Sequence, residues 1–101
     1  MIIVHAELPV RPEMKAEVEA RGEQFAATCT AEDGCIAYVL SWKFGHEATL
    51  RLVENWESLD AYEAHTAQPH VEEWAAWIPS RAAGPLDGTR YNVDVVEPQT
   101  S

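Results

Sequence analysis

Positive charge is scarce in this sequence. Seven lysines and arginines stand against 17 aspartates and glutamates, leaving a net charge of −10. Such a chain repels the phosphates of nucleic acid, which argues against a nucleic-acid partner. Long apolar runs are also missing, and no stretch approaches the roughly 20 residues that a membrane helix needs, so no membrane partner is expected. The opening MIIVHAEL is apolar but short, and it lacks a basic flank and a small-residue cleavage site. It reads as a first strand, not a signal peptide. Cysteine is limited to Cys29 and Cys35. A bridge between them is sterically conceivable, but nothing in their spacing asks for one. Two cysteines are too few for a disulfide framework, so free thiols in a cytoplasmic protein are expected. Neither cysteine has the CxxC spacing or basic surroundings of a redox thiol. A Gly-rich phosphate loop, a nucleophile elbow and a dinucleotide fingerprint are all absent.

What remains is the composition of a globular protein of 101 residues, with 47% hydrophobic and 24% charged residues. This length supports one modest core. Residues 1–97 are expected to form a single domain and 98–101 a C-terminal tail.

The periodicities give an order of elements. Ile2, Val4, Ala6 and Leu8 alternate with Ile3, His5 and Glu7, which predicts a strand ended by Pro9 and Pro12. Pro12 suits the first position of a helix carrying Met14, Val18, Phe25 and Cys29 at helical spacing. Gly22 is a weak point in that helix, costing about 1 kcal/mol against alanine, and can mark close packing. Gly34 is expected to cap its end. CIAYVLSWKF (35–44) predicts a second strand, with Ile36, Tyr38, Leu40 and Trp42 on one side. TLRLVENWE (49–57) predicts a third, with Leu50, Leu52, Glu54 and Trp56 on one face. Ser58 stands where an N-cap belongs, with Asp60 in the first turn of a short helix. Pro69 interrupts that helix and starts a second segment, which Pro79 stops. Residues 89–96 predict a last strand.

The order β-α-β-β-α-β is that of an α+β, ferredoxin-like fold: a four-stranded antiparallel sheet with its helices on one face. Ile3, Val53, Val93 and Val95 then fall on the uncovered face. A second copy of the chain is the economical cover, so a homodimer is expected.

The residues ENWES, followed by AYEAH and PHVEEW, resemble the antibiotic biosynthesis monooxygenase family of dimeric α+β barrels, and in particular its small quinol-monooxygenase-like members. The opening MIIVHAELPVRPE, the turn EDGC and the closing strand fit as well. The family includes cofactor-free oxygenases of anthrones, phenols and quinols, haem-degrading enzymes and a sugar-phosphate isomerase; related barrels include aromatic polyketide cyclases. The haem-degrading members use an asparagine on the first strand, and a tryptophan and a ligating histidine on the second helix. The matching positions here are Ala6, His65 and Ala75, so the resemblance argues against haem degradation. It also implies that these three residues line the ligand pocket.

His65 is the first candidate for chemistry, because an imidazole exchanges protons near neutral pH; the plainer alternative is a helix-end histidine capping carbonyls. Glu54 shares an apolar strand face. Burial would raise its pKa and let it act as a base or orient His65. The alternative for Glu54 is a structural ion pair with Arg90 or Arg51. Trp56 and Tyr38 are expected to line the pocket and stack on a flat ligand, with His70, Trp74, Ala75 and Ala6 as further lining. Trp42 and Trp77 are assigned to the core, and His5 and Glu7 to a structural role near the dimer interface. His65 and His70 lie five apart across a proline, unlike the i, i+4 pair of a helical zinc site, and no nearby cysteine completes a tetrahedral set. No metal and no cofactor are therefore expected.

These readings converge on a cofactor-independent monooxygenase acting on a small aromatic molecule and O2, with His65 and Glu54 as the base. A cyclase or isomerase using the same acid/base pocket, and a non-enzymatic dimeric binding protein, are the alternatives.

Overall fold

β-Branched, aliphatic and aromatic residues recur along the first three strands, each of which buries apolar side chains, whereas the last strand is polar and exposed. The structure, a computed structural model, describes residues 1–94 and 96–99. Strands β1 (Ile2–Pro9), β2 (Cys35–Trp42), β3 (Thr49–Trp56) and β4 (Asp87–Asn92) form one sheet in the order β2-β3-β1-β4. Every neighbouring pair is antiparallel. Helices α1 (Lys15–Thr30), α2 (Leu59–Thr66) and α3 (Pro69–Trp77) complete the α+β, ferredoxin-like arrangement. Among the described residues, no helix is long and apolar enough to cross a membrane.

Helix α1 buries Val18, Gly22, Phe25 and Cys29, a stripe at helical spacing. Gly22 is a point of close packing: a Cβ there would stand 3.3 Å from Leu40 Cδ1 and 3.7 Å from Trp74. Pro12 opens a short 3-10 turn (Pro12–Met14) that leads into α1. Ser58 caps α2 as expected, its Oγ accepting from the Ala61 N–H at 3.1 Å. Pro69 occupies the first turn of α3.

Three expectations about the end of α1 and about β2 are corrected. Gly34 does not cap α1, whose C-cap is Ala31. It lies instead in the turn where the Cys35 N–H donates to the Glu32 carbonyl at 3.2 Å, with φ +77°. Ile36 does not join the buried face of β2. The register slips between Cys35 and Ala37, and this bulge turns both Cys35 and Tyr38 inward while Ile36 stays 47% exposed. The strand also ends at Trp42, leaving Phe44 in solvent.

The last strand spans 87–92 instead of 89–96. Its register runs from Glu7↔Asp87 to Ile2↔Asn92, so the length of β1 sets its bounds. Beyond it the pairing continues at Val93, whose N–H donates to the Met1 carbonyl at 2.9 Å and whose carbonyl accepts from the Met1 amino group at 3.2 Å. Val95 lies outside the described residues.

The core between sheet and helices has two buried clusters. One holds Leu8, Val10, Val18, Ala48, Leu50 and Ile78. The other holds Ile2, Phe25, Cys29, Tyr38 and Trp56, and it carries the candidate site on its edge. Trp56 is fully buried; at about 25 cal/mol per Å², an indole of this kind contributes up to roughly 4–6 kcal/mol of apolar burial.

Candidate functional site

A cavity of about 570 Å³ lies between the sheet and helices α2 and α3. Cross-strand rows explain its shape. Leu40, Leu52, Ala6 and Gly88 stand side by side across the sheet, and the two smallest are neighbours in that row. A Cβ on Gly88 would come within 3.3 Å of Ala6 Cβ. The floor is open because large side chains are missing there. The next row is Tyr38, Glu54, Val4 and Arg90. The walls are mostly apolar or aromatic, with Phe25, Tyr62, Val71, Trp74 and Ile78 among them, and Leu86 stands exposed beside them.

Glu54 and His65 are a buried carboxyl and a buried imidazole, at 5% and 4% exposure. Both line the cavity. Their alternation and helical phase bring them together: Glu54 points inward from β3, and His65 points down from the last turn of α2. His65 Nε2 lies 3.6 Å from Glu54 Oε1. The same carboxylate oxygen accepts the Trp56 indole N–H at 2.7 Å. Burial is the main cause that raises the Glu54 carboxyl above its ordinary range; the Trp56 hydrogen bond and the nearness of His65 oppose it. The ion-pair alternative for Glu54 is overturned. Arg51 pairs with Glu7 at 3.3 Å, and Arg90 lies over the Tyr62 ring.

The other imidazole nitrogen is held from behind. His65 Nδ1 is 2.8 Å from Glu32 Oε2, and His70 Nε2 is 2.9 Å from the same oxygen. A carboxylate acceptor assigns the proton to Nδ1 of His65, which leaves Nε2 as the free base facing Glu54. Glu32 was not singled out from the sequence, where EDGC reads only as a turn. Its one local signal is the i, i+3 relation to Cys29; the histidines it meets are 33 and 38 residues away. Burial, together with the Glu32 and Glu54 charges, pushes the Cys29 thiol well above its usual range. Burial does the same to the Tyr38 phenol.

The structure sorts the remaining candidates. Ala6, Tyr38, Trp74 and Ala75 line the cavity beside His65. Trp56 does not: it is fully buried beneath the imidazole, with ring centroids 4.5 Å apart. Its inward alternation was legible, but β3 places it one row beyond the cavity floor, where it holds Glu54. His70 also stays off the cavity wall and turns toward Glu32. The reasoning that no cysteine lies near the histidines is overturned as well. Single ligand atoms of Cys29, Glu32, His65 and His70 all fall within 4.8 Å of one another. Trp42 and Trp77 are half-buried. The Trp42 indole N–H donates to Glu19 at 2.7 Å, and Trp77 lies between Arg21 and Arg81.

The chain as a whole has relatives. The protein named "Putative monooxygenase YcnE" of Bacillus subtilis (strain 168) is 29% identical over 90 residues, covering 89% of this chain and 95% of its own. Two crystal structures described as a "putative antibiotic biosynthesis monooxygenase" are similar. The one from Caulobacter crescentus CB15 is 29% identical with a TM-score of 0.85, covering 95% of this chain and 90% of that one. The one from Deinococcus radiodurans superposes with a TM-score of 0.91 over 100% of both chains; at 24% identity it attests the fold. The family model described as antibiotic biosynthesis monooxygenase matches residues 1–77, a span that contains β1 to α3 and with them Glu54, His65 and Glu32. The chain belongs to the antibiotic biosynthesis monooxygenase family.

Proposed function

We propose that this chain is a cofactor-independent monooxygenase of small aromatic substrates of the quinol, phenol or anthrone type. The observation that carries the reading is the buried Glu54–His65 pair, 3.6 Å apart, on the wall of an otherwise apolar cavity. A flat ring held among Phe25, Tyr38 and Trp74 would place an acidic O–H or C–H against that pair. Glu54 and His65 take up the proton, and Glu32 fixes the imidazole so that Nε2 faces inward. The substrate anion is electron-rich enough to pass an electron to O2, and the two radicals recombine as a hydroperoxide at carbon. Proton return to the distal oxygen and loss of a second C–H proton break the O–O bond. One C–H2 or aromatic C–H becomes C=O, one water leaves, and the four electrons taken up by O2 come from the substrate alone.

The reading includes a homodimer. The sheet face away from the helices carries Val39 at 50% and Tyr91 at 48% exposure, with Ile3 and Val53 half-buried between them. A second copy laid on this face would cover them.

The test is turnover of quinols and anthrones under ¹⁸O2, followed with an oxygen electrode and mass spectrometry. One O2 consumed and one labelled oxygen incorporated per product are expected. Equal conversion without oxygen would make the chain an isomerase or cyclase. Tight binding without conversion in either atmosphere would make it a binding protein.

A further inference from the structure

We propose that Cys29, Glu32, His65 and His70 form a binding site for one transition-metal dication of the zinc class, behind the wall of the cavity. Four potential ligands from three separate elements converge there. Cys29 lies in the last turn of α1 and Glu32 in the turn that follows it; His65 ends α2 and His70 begins α3. Their ligand atoms all lie within 4.8 Å of one another. A tetrahedral zinc with bonds of about 2.0–2.3 Å needs its ligand atoms about 3.3–3.7 Å apart. The Glu32 oxygen, now 2.8 and 2.9 Å from the two imidazole nitrogens, would therefore retreat by about 0.5 Å, and the widest pair would close by about 1 Å. Side-chain rotation suffices for both.

The Pro69 break between α2 and α3 makes this convergence possible. On a continuous helix, residues five apart diverge; here the chain turns between them, so Nδ1 of His65 and Nε2 of His70 aim at one point. The donor set of one thiolate, one carboxylate and two imidazoles matches zinc chemistry, and its two negative charges balance a dication. The thiol proton passes to solvent on binding, and each imidazole keeps its proton on the nitrogen facing away from the ion. For His65 that nitrogen is Nε2, which points at Glu54, whose Oε1 is in turn held by Trp56. A ligating histidine backed by a carboxylate is the usual outer-shell arrangement of a metal site. The side chains of Cys29, Glu32 and His65 are almost wholly enclosed, while the His70 side chain is 23% exposed and leaves an approach from solvent. Cys29, Glu32 and His70 do not line the cavity, so the ion would leave the substrate space free and pin the ends of all three helices.

The full chain, stripped with chelator and kept reduced, is titrated with Zn²⁺ against a chromophoric chelator. One equivalent bound tighter than about 100 nM is expected. Cys29→Ser and His70→Gln should each weaken it by more than the roughly 10–100-fold that loss of an outer-shell partner brings, and Cys35→Ser should not weaken it. The Co²⁺ form should show thiolate-to-cobalt charge transfer and the strong d–d bands of a tetrahedral site, with the charge transfer lost in Cys29→Ser. The partly exposed His70 makes His70→Gln a folded comparison should Cys29→Ser unfold. Binding weaker than about 10 µM, a dissociation constant unchanged in His70→Gln, or charge transfer that depends on Cys35 would overturn the site. None of these readouts involves turnover, so they test the site whether or not the oxygenase proposal holds; with the ion on Nδ1, Nε2 of His65 carries the proton, and the proton-accepting role in the cavity falls to Glu54.

Discussion

Gly34 and Gly45 share a backbone conformation, with φ of +77° and +80°, but differ in what surrounds them. A Cβ on Gly45 would meet nothing within 4 Å, whereas one on Gly34 would stand 2.6 Å from Ala61 Cβ on α2. Gly45→Ala therefore suffers only the left-handed backbone penalty, about 1–2 kcal/mol. Gly34→Ala suffers the same penalty and an overlap of about 1 Å against the Ala61 methyl on α2, for which overpacking adds about 1–3 kcal/mol. Ala61 cannot yield cheaply, because its Cβ is fixed to the α2 backbone and has no flexible end. At roughly 4–8 °C per kcal/mol for a domain near this size, Gly45→Ala should lower Tm by about 5–15 °C and Gly34→Ala by about twice as much. Thermal unfolding followed by circular dichroism measures both. The overlap also pushes the turn that carries Glu32 away from α2, so the imidazole NMR signals of His65 and His70 should move in Gly34→Ala and stay in place in Gly45→Ala. Equal losses of stability in the two variants, or unmoved imidazoles in Gly34→Ala, would refute the packing of this turn as the device that positions Glu32.

Other perturbations probe the remaining links. Trp56→Phe keeps the aromatic body but removes the indole N–H that Glu54 accepts at 2.7 Å; a stability loss of about 1.5–3 kcal/mol is expected by urea denaturation, with a fall in kcat if Glu54 is the base. Glu7 is held below the usual carboxylate range, chiefly by its hydrogen bond from Lys43 at 3.0 Å. Its contribution is thus present above the unfolded carboxylate pKa and fades as pH falls through the folded one. The Tm gap between wild type and Glu7→Gln should accordingly be widest near neutrality and close in acid. Val39→Asp puts a charge on the half-exposed outer sheet face and should convert a dimer to a monomer by light scattering; an unchanged mass would remove that face from the interface.

The parts of the fold that local physics decides were readable in the residues. Alternation placed Leu50, Glu54 and Trp56 on one face of β3; Ser58 marked the start of α2, and Pro69 its division from α3. The Glu54–His65 encounter follows from those three features. What escaped depends on partners distant in the chain. The bulge that expels Ile36 and the bounds of β4 are set by pairing with β3 and β1. Alternation gives the face of Trp56 but not how far along the sheet the cavity extends, so a buried support for Glu54 was taken for a lining residue. Glu32 was invisible as a site residue because its role arises only where the turn after α1 packs on α2 and α3.

The direct measurement of Glu54 and His65 as the base separates proton removal from the oxygen step. Enzyme and a quinol or anthrone are mixed without oxygen in a stopped-flow cell, at a pH below the substrate's own pKa, and the absorbance of the substrate anion is followed. The wild-type protein should generate the anion at once, whereas folded Glu54→Gln should generate it about 10²–10⁴-fold more slowly, and folded His65→Gln should also be impaired. Anion formation at the wild-type rate in both variants would contradict the assignment of the base to this pair.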